Sequence, residues 1–456
     1  MKINKILSIM LIINIISFNS LSALAIKDDK KAQKAKQSAI ETAVQNLNLD
    51  WWKAYDDEYL IGYISKAIES NNDIKIATLR VEQARQNMKL QFANELPHMQ
   101  VGVSPVVNKL PNDTGTDGSF SIPMIVSYEA DIFLKNRNKT QSMKKLHEAS
   151  IQQERALHIA IASQIGATYF NIVKLDKLIS LQDEIIKDRN SIYKMTKLKN
   201  ELGLASTADL TRAEKAYVLA VADLSDLKKA REIMLNSLAV LVGESPNNIN
   251  DFKRASYDEL VDLKVVPKEI SSEVVTQRPD YIVSEKVLEK AGLDVRVAKK
   301  EFLPSINLFG LVSFNSFSNS SSFGWKNALA LMGGSAMLDI FRGGAKIANL
   351  KLRKNYYEQM LHSYYKTNLT AIQEVNDALC ALKFDNDKYN KNRDSYEMQD
   401  KEFKYSEIKY ENGLISNLDL LHQKETLLSM NKLVVNSKVD CLINEISLYK
   451  AMGAKI

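Results

Sequence analysis

The sequence predicts a mostly helical chain that also carries part of a membrane β-barrel, with too few strands to close one alone. Three observations predict this. One plan of helix, strand, strand, long helix and helix is written twice. Two proline-free stretches are far longer than a globular core requires. Four short segments alternate apolar and polar residues, the pattern of a wall with two different faces.

The chain has 456 residues and a net charge of +6. That length allows two or three ordinary domains, and the charge is too mild to argue for nucleic acid. Residues 1–25 read as a secretory signal. Lys2 and Lys5 give the charged start, Ile6–Ile16 the apolar run and Ala23-Leu24-Ala25 an A-x-A cleavage site. An uncleaved inner-membrane anchor is the alternative, although the run is short for a span. No cysteine lies near the cleavage point, so no lipid attachment is expected there. Residues 26–72 read as a charged arm (Ile26–Asn48) followed by a first helix. Nothing later offers about 20 consecutive apolar residues. An exported chain without a helical span can enter a bilayer only as a closed barrel. The two cysteines, Cys380 and Cys441, form no disulfide framework and are expected as free, buried thiols.

The doubling is clearest in the second half of each copy. Gly413-Leu414 answers Gly203-Leu204, and Asp419-Leu420 answers Asp209-Leu210, each 210 residues on (413 against 203, 419 against 209). Earlier positions pair at 207 or 208: Asp73 with Asp280, Leu96-Pro97 with Leu303-Pro304, Asp131-Ile132-Phe133 with Asp339-Ile340-Phe341. Two units, 73–243 and 280–453, therefore share one plan, with 244–279 as connector.

Each unit opens on a helix whose start is expected at Asn72-Asp73 or Pro279-Asp280, and whose end is expected at Pro97 or Pro304. The period then falls to two. Met99, Val101 and Val103 alternate with polar or small residues, as do Phe120, Ile122, Met124, Val126, Tyr128, Ala130 and Ile132. In the second unit Ile306, Leu308, Val312 and Phe314 do the same, while the last strand, Trp325–Phe341, alternates weakly around Gly333-Gly334. This defines β-hairpins at 98–133 and 305–341, with loops at 105–118 and 315–324. The soluble alternative is two hairpins packed on a core.

A very long helix follows each hairpin. Lys135–Gly203 holds no proline and one internal glycine, Gly166, and Ala345–Asn412 holds neither. At 1.5 Å per residue each would be about 100 Å long. Leu361, Val375, Leu382, Tyr389, Tyr396, Phe403 and Tyr410 fall on one seven-residue register, which implies coiled-coil packing rather than a cofactor box. Each long helix stops at a glycine and restarts after a small polar cluster. That is the tip of a helical hairpin, with Ser206 or Ser416 as the next cap.

Four strands cannot close. The smallest membrane barrels need about eight, and an open edge in lipid is forbidden. Two copies would give a filled barrel of about eight strands, and three a barrel of about twelve with a lumen. The internal repeat would make a trimer pseudo-sixfold.

The run Arg278-Pro279-Asp280, then Ala291, Phe302-Leu303-Pro304-Ser305-Ile306, Asp339-Ile340-Phe341, Gly343-Gly344 and the closing Leu448-Tyr449-Lys450-Ala451-Met452-Gly453 resembles the outer membrane efflux protein family, the TolC-like outer membrane factors of RND-type tripartite pumps. The resemblance covers about residues 51–453 and is nearest the pump-associated, NodT-like branch, from which this chain departs by lacking the lipoprotein cysteine. It implies a homotrimeric channel-tunnel in outer-membrane lipid, with a helical cylinder crossing the periplasm to a periplasmic adaptor (membrane fusion) protein and an inner-membrane transporter. It also implies a periplasmic gate at Asp209, Tyr410, Leu418, Asp419 and His422. Tyr410 matches a tyrosine that bonds across to the neighbouring hairpin, and Asp209 the carboxylate it meets. Asp419 matches the first of two aspartates ringing the constriction, whereas the second position is His422. An arginine often found after the tip glycine is replaced by Ile415. Leu418 matches an apolar ring, and Gly203-Leu204 with Gly413-Leu414 the tips that meet adaptor hairpins.

Threefold symmetry would crowd three Asp419 carboxylates, raise their pKa and attract cations. An imidazole changes charge near neutrality, so His422 would make closure pH-sensitive. The structural alternative is that Asp419 caps a helix turn and His422 faces solvent. Glu129, Asp131 and Asp339 are expected at the strand–helix junction. His98, His147, His158, His362 and His422 lack ligand spacing, and no phosphate loop or nucleophile elbow occurs, so neither an enzyme, a metal nor a cofactor is expected. The readings that remain are a small-molecule efflux conduit, the exit duct of a type I protein secretion system and a pore-less periplasmic adaptor.

Overall fold

In the computed structural model the described residues are 52, 55–108, 117–247, 252–261, 273–316 and 328–453. The expected signal, the arm, the hairpin loops at 109–116 and 317–327, and two stretches of the connector, 248–251 and 262–272 with Pro267, lie outside them. The elements in order are α1 (Glu58–Ser70), α2 (Asn72–Ala93), β1 (His98–Val101), β2 (Ser104–Asn108), β3 (Asp117–Ala130), α3 (Lys135–Glu201), α4 (Thr207–Leu241), α5 (Pro279–Lys300), β4 (Ser305–Ser316), β5 (Ala328–Met337), α6 (Ala345–Glu411) and α7 (Asn417–Ala451). A 3-10 turn at Tyr257–Glu259 and a one-turn helix at Glu273–Thr276 lie between α4 and α5. The duplication shows in the lengths: α3 and α6 both have 67 residues, α4 and α7 both 35.

The chain divides into two compact units, which cut across the sequence repeats. One unit gathers the described residues within Met1–Ile74, Leu157–Ile270 and Val375–Ile456. Its core joins α1, through Leu60, Ile64, Ala67 and Ile68, to Ile165, Tyr169, Phe170 and Val173 of α3 and to Val439, Leu442 and Ile446 of α7. Burial of that apolar face fixes α1, and hydrogen bonds then fix its register. Asp57 caps α1 by accepting the Tyr59 and Leu60 amides at 2.9 and 3.1 Å. Its other oxygen accepts the Tyr169 hydroxyl at 2.6 Å, and that hydroxyl accepts the Ala255 amide at 2.9 Å. Three sequence-distant segments therefore meet on one buried phenol. The heptad stripe of α6 turns inward as expected, with Val375 and Leu382 buried and Tyr389, Tyr396 and Phe403 half-buried, but Tyr410 is exposed.

The other unit gathers Lys75–Ala156 and Ser271–Glu374. Here α5 is bonded on two sides. Ser142 donates to Asp294 at 2.6 Å and Lys145 pairs with Glu289 at 2.7 Å on α3. Asn349 of α6 donates to Glu301 at 2.9 Å, and Tyr281 meets Tyr364 hydroxyl to hydroxyl. The strands form one antiparallel sheet in which β3 pairs with β4 and so joins the two hairpins. β1 and β2 both pair with β3, β5 pairs with β4, and none pairs with another described strand.

Several sequence expectations change. β1 and β2 are one strand in one register, since His98↔Ser127 and Ser104↔Ser121 lie on the same diagonal. The break falls where Gly102 donates to the Pro123 carbonyl at 2.9 Å but Pro123 has no N–H to return. The first strand thus runs to Asn108, into the segment expected as loop. β3 stops at Ala130, so Ile132 belongs to a turn, and the last strand is Ala328–Met337 rather than Trp325–Phe341. Weak alternation there has a steric cause. Gly333 and Gly334 face Phe309 and Leu308, and a Cβ on Gly333 would lie 2.8 Å from the Phe309 ring. The cap of α2 is Asn71, whose side-chain oxygen accepts the Asp73 and Ile74 amides at 2.8 and 3.1 Å. α2 and α5 end at Ala93 and Lys300, each four residues before its proline. Asp131 accepts the Lys135 and Arg137 amides and so starts α3, while Asp339 pairs with Arg342 and Lys346. Cys380 is exposed and only Cys441 is buried. One stretch of α3 is apolar enough to cross a membrane by length and composition, but it is 67% buried inside the protein.

Candidate functional site: the two hairpin tips

Both tips are built by the same backbone device. After α3, Gly203 takes the left-handed conformation (φ 72°), its amide donates to Asn200 O at 2.9 Å and the Leu204 amide to Lys199 O at 2.7 Å. After α6, Gly413 (φ 72°) donates to Tyr410 O at 2.9 Å and Leu414 to Lys409 O at 2.8 Å. These paired bonds satisfy the last carbonyls of each helix, and only glycine adopts the required turn without strain. The turn leaves Leu204 and Leu414 projecting, 74% and 73% exposed.

Serine then restarts each helix. The Asp209 amide donates to Ser206 Oγ at 3.1 Å and the Asp419 amide to Ser416 Oγ at 3.2 Å. Each hydroxyl in turn donates to its aspartate at 2.7 Å. At the second tip the Ser416 amide also donates to Asp419 Oδ2 at 3.1 Å, which completes a capping box. Replacing Ser416 with alanine is expected to cost about 1 kcal/mol of local stability. Faster hydrogen exchange of the first amides of α7, unchanged elsewhere, is the check.

The caps set the charge state within a chain. The Ser206 hydroxyl, with a smaller contribution from Arg212, holds the Asp209 carboxyl below its usual range. The Ser416 hydroxyl and then the Ser416 amide do the same for Asp419. The rise expected from crowding three carboxylates therefore starts from a depressed value. Since folding lowers these carboxyls, the caps stabilise the tips above the ordinary carboxylate range and are lost as pH falls through the folded values.

Among the predicted residues the chain brings Asp419 and His422 onto one turn, with His422 exposed and Leu418 half-buried beside them. It does not join Tyr410 to Asp209. Asp209 is engaged with Ser206 and with Arg212 at 3.1 Å, and the Tyr410 hydroxyl has no hydrogen-bond partner among the described residues. Arg212 was missed in the sequence. The repeat offset could have found it, since Arg212 stands where the second tip has His422 (422 against 212).

Long helices ending in matched tips, joined to an antiparallel sheet whose two edges have no partner among the described residues, define the class of TolC-like outer membrane channels. The chain belongs to the outer membrane efflux protein family, whose model matches residues 63–244 and 270–454. It is 27% identical over 411 residues to the probable efflux pump outer membrane protein TtgC of Pseudomonas putida, covering 88% of this chain and 84% of that protein. It is 25% identical over 419 residues to the cation efflux system protein CusC of Escherichia coli O157:H7, covering 91% of each. The crystal structure of the Campylobacter jejuni CmeC outer membrane channel superposes with a TM-score of 0.82 at 26% identity, covering 89% of this chain and 88% of that one. The family and these neighbours are channel proteins of the outer membrane.

Proposed function

We propose that three copies of this chain close one barrel of about twelve strands in outer-membrane lipid. Their helices continue as a periplasmic tunnel that gives the substrates of an inner-membrane transporter and its adaptor a way out. The observation that carries this reading is the sheet. The outer edges of β1–β2 and of β5 have no partner strand among the described residues, and lipid tolerates no such edge. Identical neighbours supply the missing partners at no cost in new sequence. Both relatives named above are efflux components, which supports small-molecule efflux over protein export.

The tips of the two hairpins are the gate and the docking points. Asp419 supplies acidic charge at the constriction, Leu418 an apolar collar beside it, and His422 a basic group one turn further on. Leu204 and Leu414 present apolar knobs to the adaptor. Tyr410, whose hydroxyl has no partner among the described residues, reaches an Asp209 across the hairpin boundary and latches the closed state. In planar bilayers, Tyr410→Phe combined with Asp209→Ala should raise single-channel conductance severalfold. Parent-level conductance in that double variant would remove the latch.

A further inference from the structure

Three strands reach the same end of the sheet and open onto one cavity. β3 ends at Ala130, β4 begins at Ser305 and β5 ends at Met337, with Ala130, Ile306 and Ala336 paired in one row. β5 has 10 residues, about the length that crosses a bilayer as a tilted strand. In a membrane barrel this row therefore lies at the water boundary. The long helices α3 and α6 set out from that end, so the boundary is the periplasmic one.

The cavity holds about 380 Å³, within the range of small-molecule sites, and lies wholly in the strand-bearing unit. Its lining mixes both signs of charge. Glu129 pairs with Lys135 at 2.7 Å, and Asp131 accepts the Lys135 and Arg137 amides at 2.6 and 2.8 Å. Arg342 and Lys346 share Asp339 at 3.5 and 3.6 Å, longer than a charge-assisted hydrogen bond. Lys300 donates to the Leu134 carbonyl at 3.1 Å, and Glu301 accepts from Asn349 at 2.9 Å. Neither Lys300 nor Glu301 has an ion-pair partner among the described residues. The cavity thus offers loosely held positive charge together with an unmatched carboxylate. Phe133, Leu303 and Met337 add apolar lining.

The turns beside the cavity are apolar, where a turn facing water is usually polar. After β5, Ile340 and Phe341 are 93% and 86% exposed, and Leu338 is exposed as well. After β3 the repeated triplet again leaves Ile132 exposed, followed by Leu134. Apolar side chains bared in both copies of one motif, at the ends of membrane strands, fit lipid better than water. A phospholipid matches both parts of the surface. Its charged headgroup suits the mixed lining, and its acyl chains suit the turns.

We propose that this cavity binds one zwitterionic phospholipid of the periplasmic leaflet, a phosphate and an ammonium on one headgroup. Arg342 and Lys300 hold the phosphate, a guanidinium being well shaped for its oxygens. Glu301 holds the ammonium, and Ile132, Ile340 and Phe341 seat among the acyl chains. The site fixes how deep the wall sits in the bilayer. This rests on the reading of the strands as a barrel in outer-membrane lipid.

The test is native mass spectrometry of the assembled full chain in detergent, delipidated and then titrated with dihexanoyl phosphatidylethanolamine, dihexanoyl phosphatidylglycerol or inorganic phosphate. The ethanolamine lipid should bind at one per chain and severalfold more tightly than the glycerol lipid. Arg342→Gln with Lys300→Gln should weaken both lipids about tenfold. Glu301→Gln should abolish the preference for ethanolamine and leave the glycerol lipid unchanged. The Arg342 side chain is 66% exposed, so Arg342→Gln alone carries the test should the double variant fail to assemble. Equal binding of the two lipids by the parent, or parent-level binding in the charge variants, overturns the site. So does displacement of the lipid by inorganic phosphate at equal concentration, which would show a phosphate site indifferent to lipid. A parent that conducts in planar bilayers but binds no lipid overturns the site and spares the channel. A parent that neither binds lipid nor conducts overturns both.

Discussion

The proposed ring of Asp419 carboxylates should make the channel prefer cations and bind divalent ions, and replacing Asp419 with alanine should remove most of both effects. The residue sits in the first turn of α7, where the Ser416 hydroxyl and amide hold its carboxyl low and hence ionised. In a threefold particle each constriction then carries three such charges at close range. At physiological salt the screening length is about 8 Å, so charges across a narrow opening still act on a permeating ion. Alanine also deletes the cap, which confounds charge with local order. Asp419→Asn separates the two, because an amide still accepts from the Ser416 hydroxyl but carries no charge. Reversal potentials measured across a salt gradient should move toward the non-selective value in both variants. If Asp419→Asn keeps the parent reversal potential, the acidic ring is elsewhere.

The second large effect is structural. Gly166 is the one internal glycine of α3, and it is there because other side chains occupy the place of its Cβ. A methyl group would lie 2.8 Å from Trp52 Cζ3 and 2.9 Å from Ile446 Cδ1. Both neighbours are buried, at 4% and 2% exposure, and cannot move aside into solvent. Gly166→Ala should therefore cost about 1–3 kcal/mol despite alanine's better helix propensity. Gly166→Leu should prevent the core that joins α1, α3 and α7 from forming. Ile446→Val removes the Cδ1 and should restore part of the stability lost in Gly166→Ala. Thermal denaturation of the assembled protein followed by loss of helical signal measures each step. Stability equal to the parent in Gly166→Ala would show that Trp52 is not held where the structure places it.

How much of this could be read from the chain depends on how local the cause is. Gly203, Gly413, Ser206 and Ser416 act through bonds within a few residues, and their spacing shows them without a structure. The alternation of Ile306, Leu308, Val312 and Phe314 likewise reports one strand by itself. Pro123 was legible as a residue but not as a break, because the broken strand is its partner. Gly333-Gly334 blurred the last strand's pattern for a reason supplied by Phe309, more than twenty positions earlier. Asn71 took the cap expected of Asp73 because only Asn71 precedes the first helical turn. The ion pairs of Asp188 with Lys424 and of Arg189 with Glu425 were hidden entirely, since four charges among the many on α3 and α7 mean nothing until the helices are laid side by side. The charge at the tips was legible in kind, but its direction needed the hydroxyl partners.

The unpaired strands at both margins of the sheet have a consequence for cells that make two versions of this protein. In the three-chain barrel proposed above every margin must be sound for the wall to close, so a subunit with a spoiled outer strand would disable its two companions as well as itself. Equal synthesis of intact and spoiled subunits, mixing at random, would leave roughly one particle in eight whole. Such an allele would be dominant.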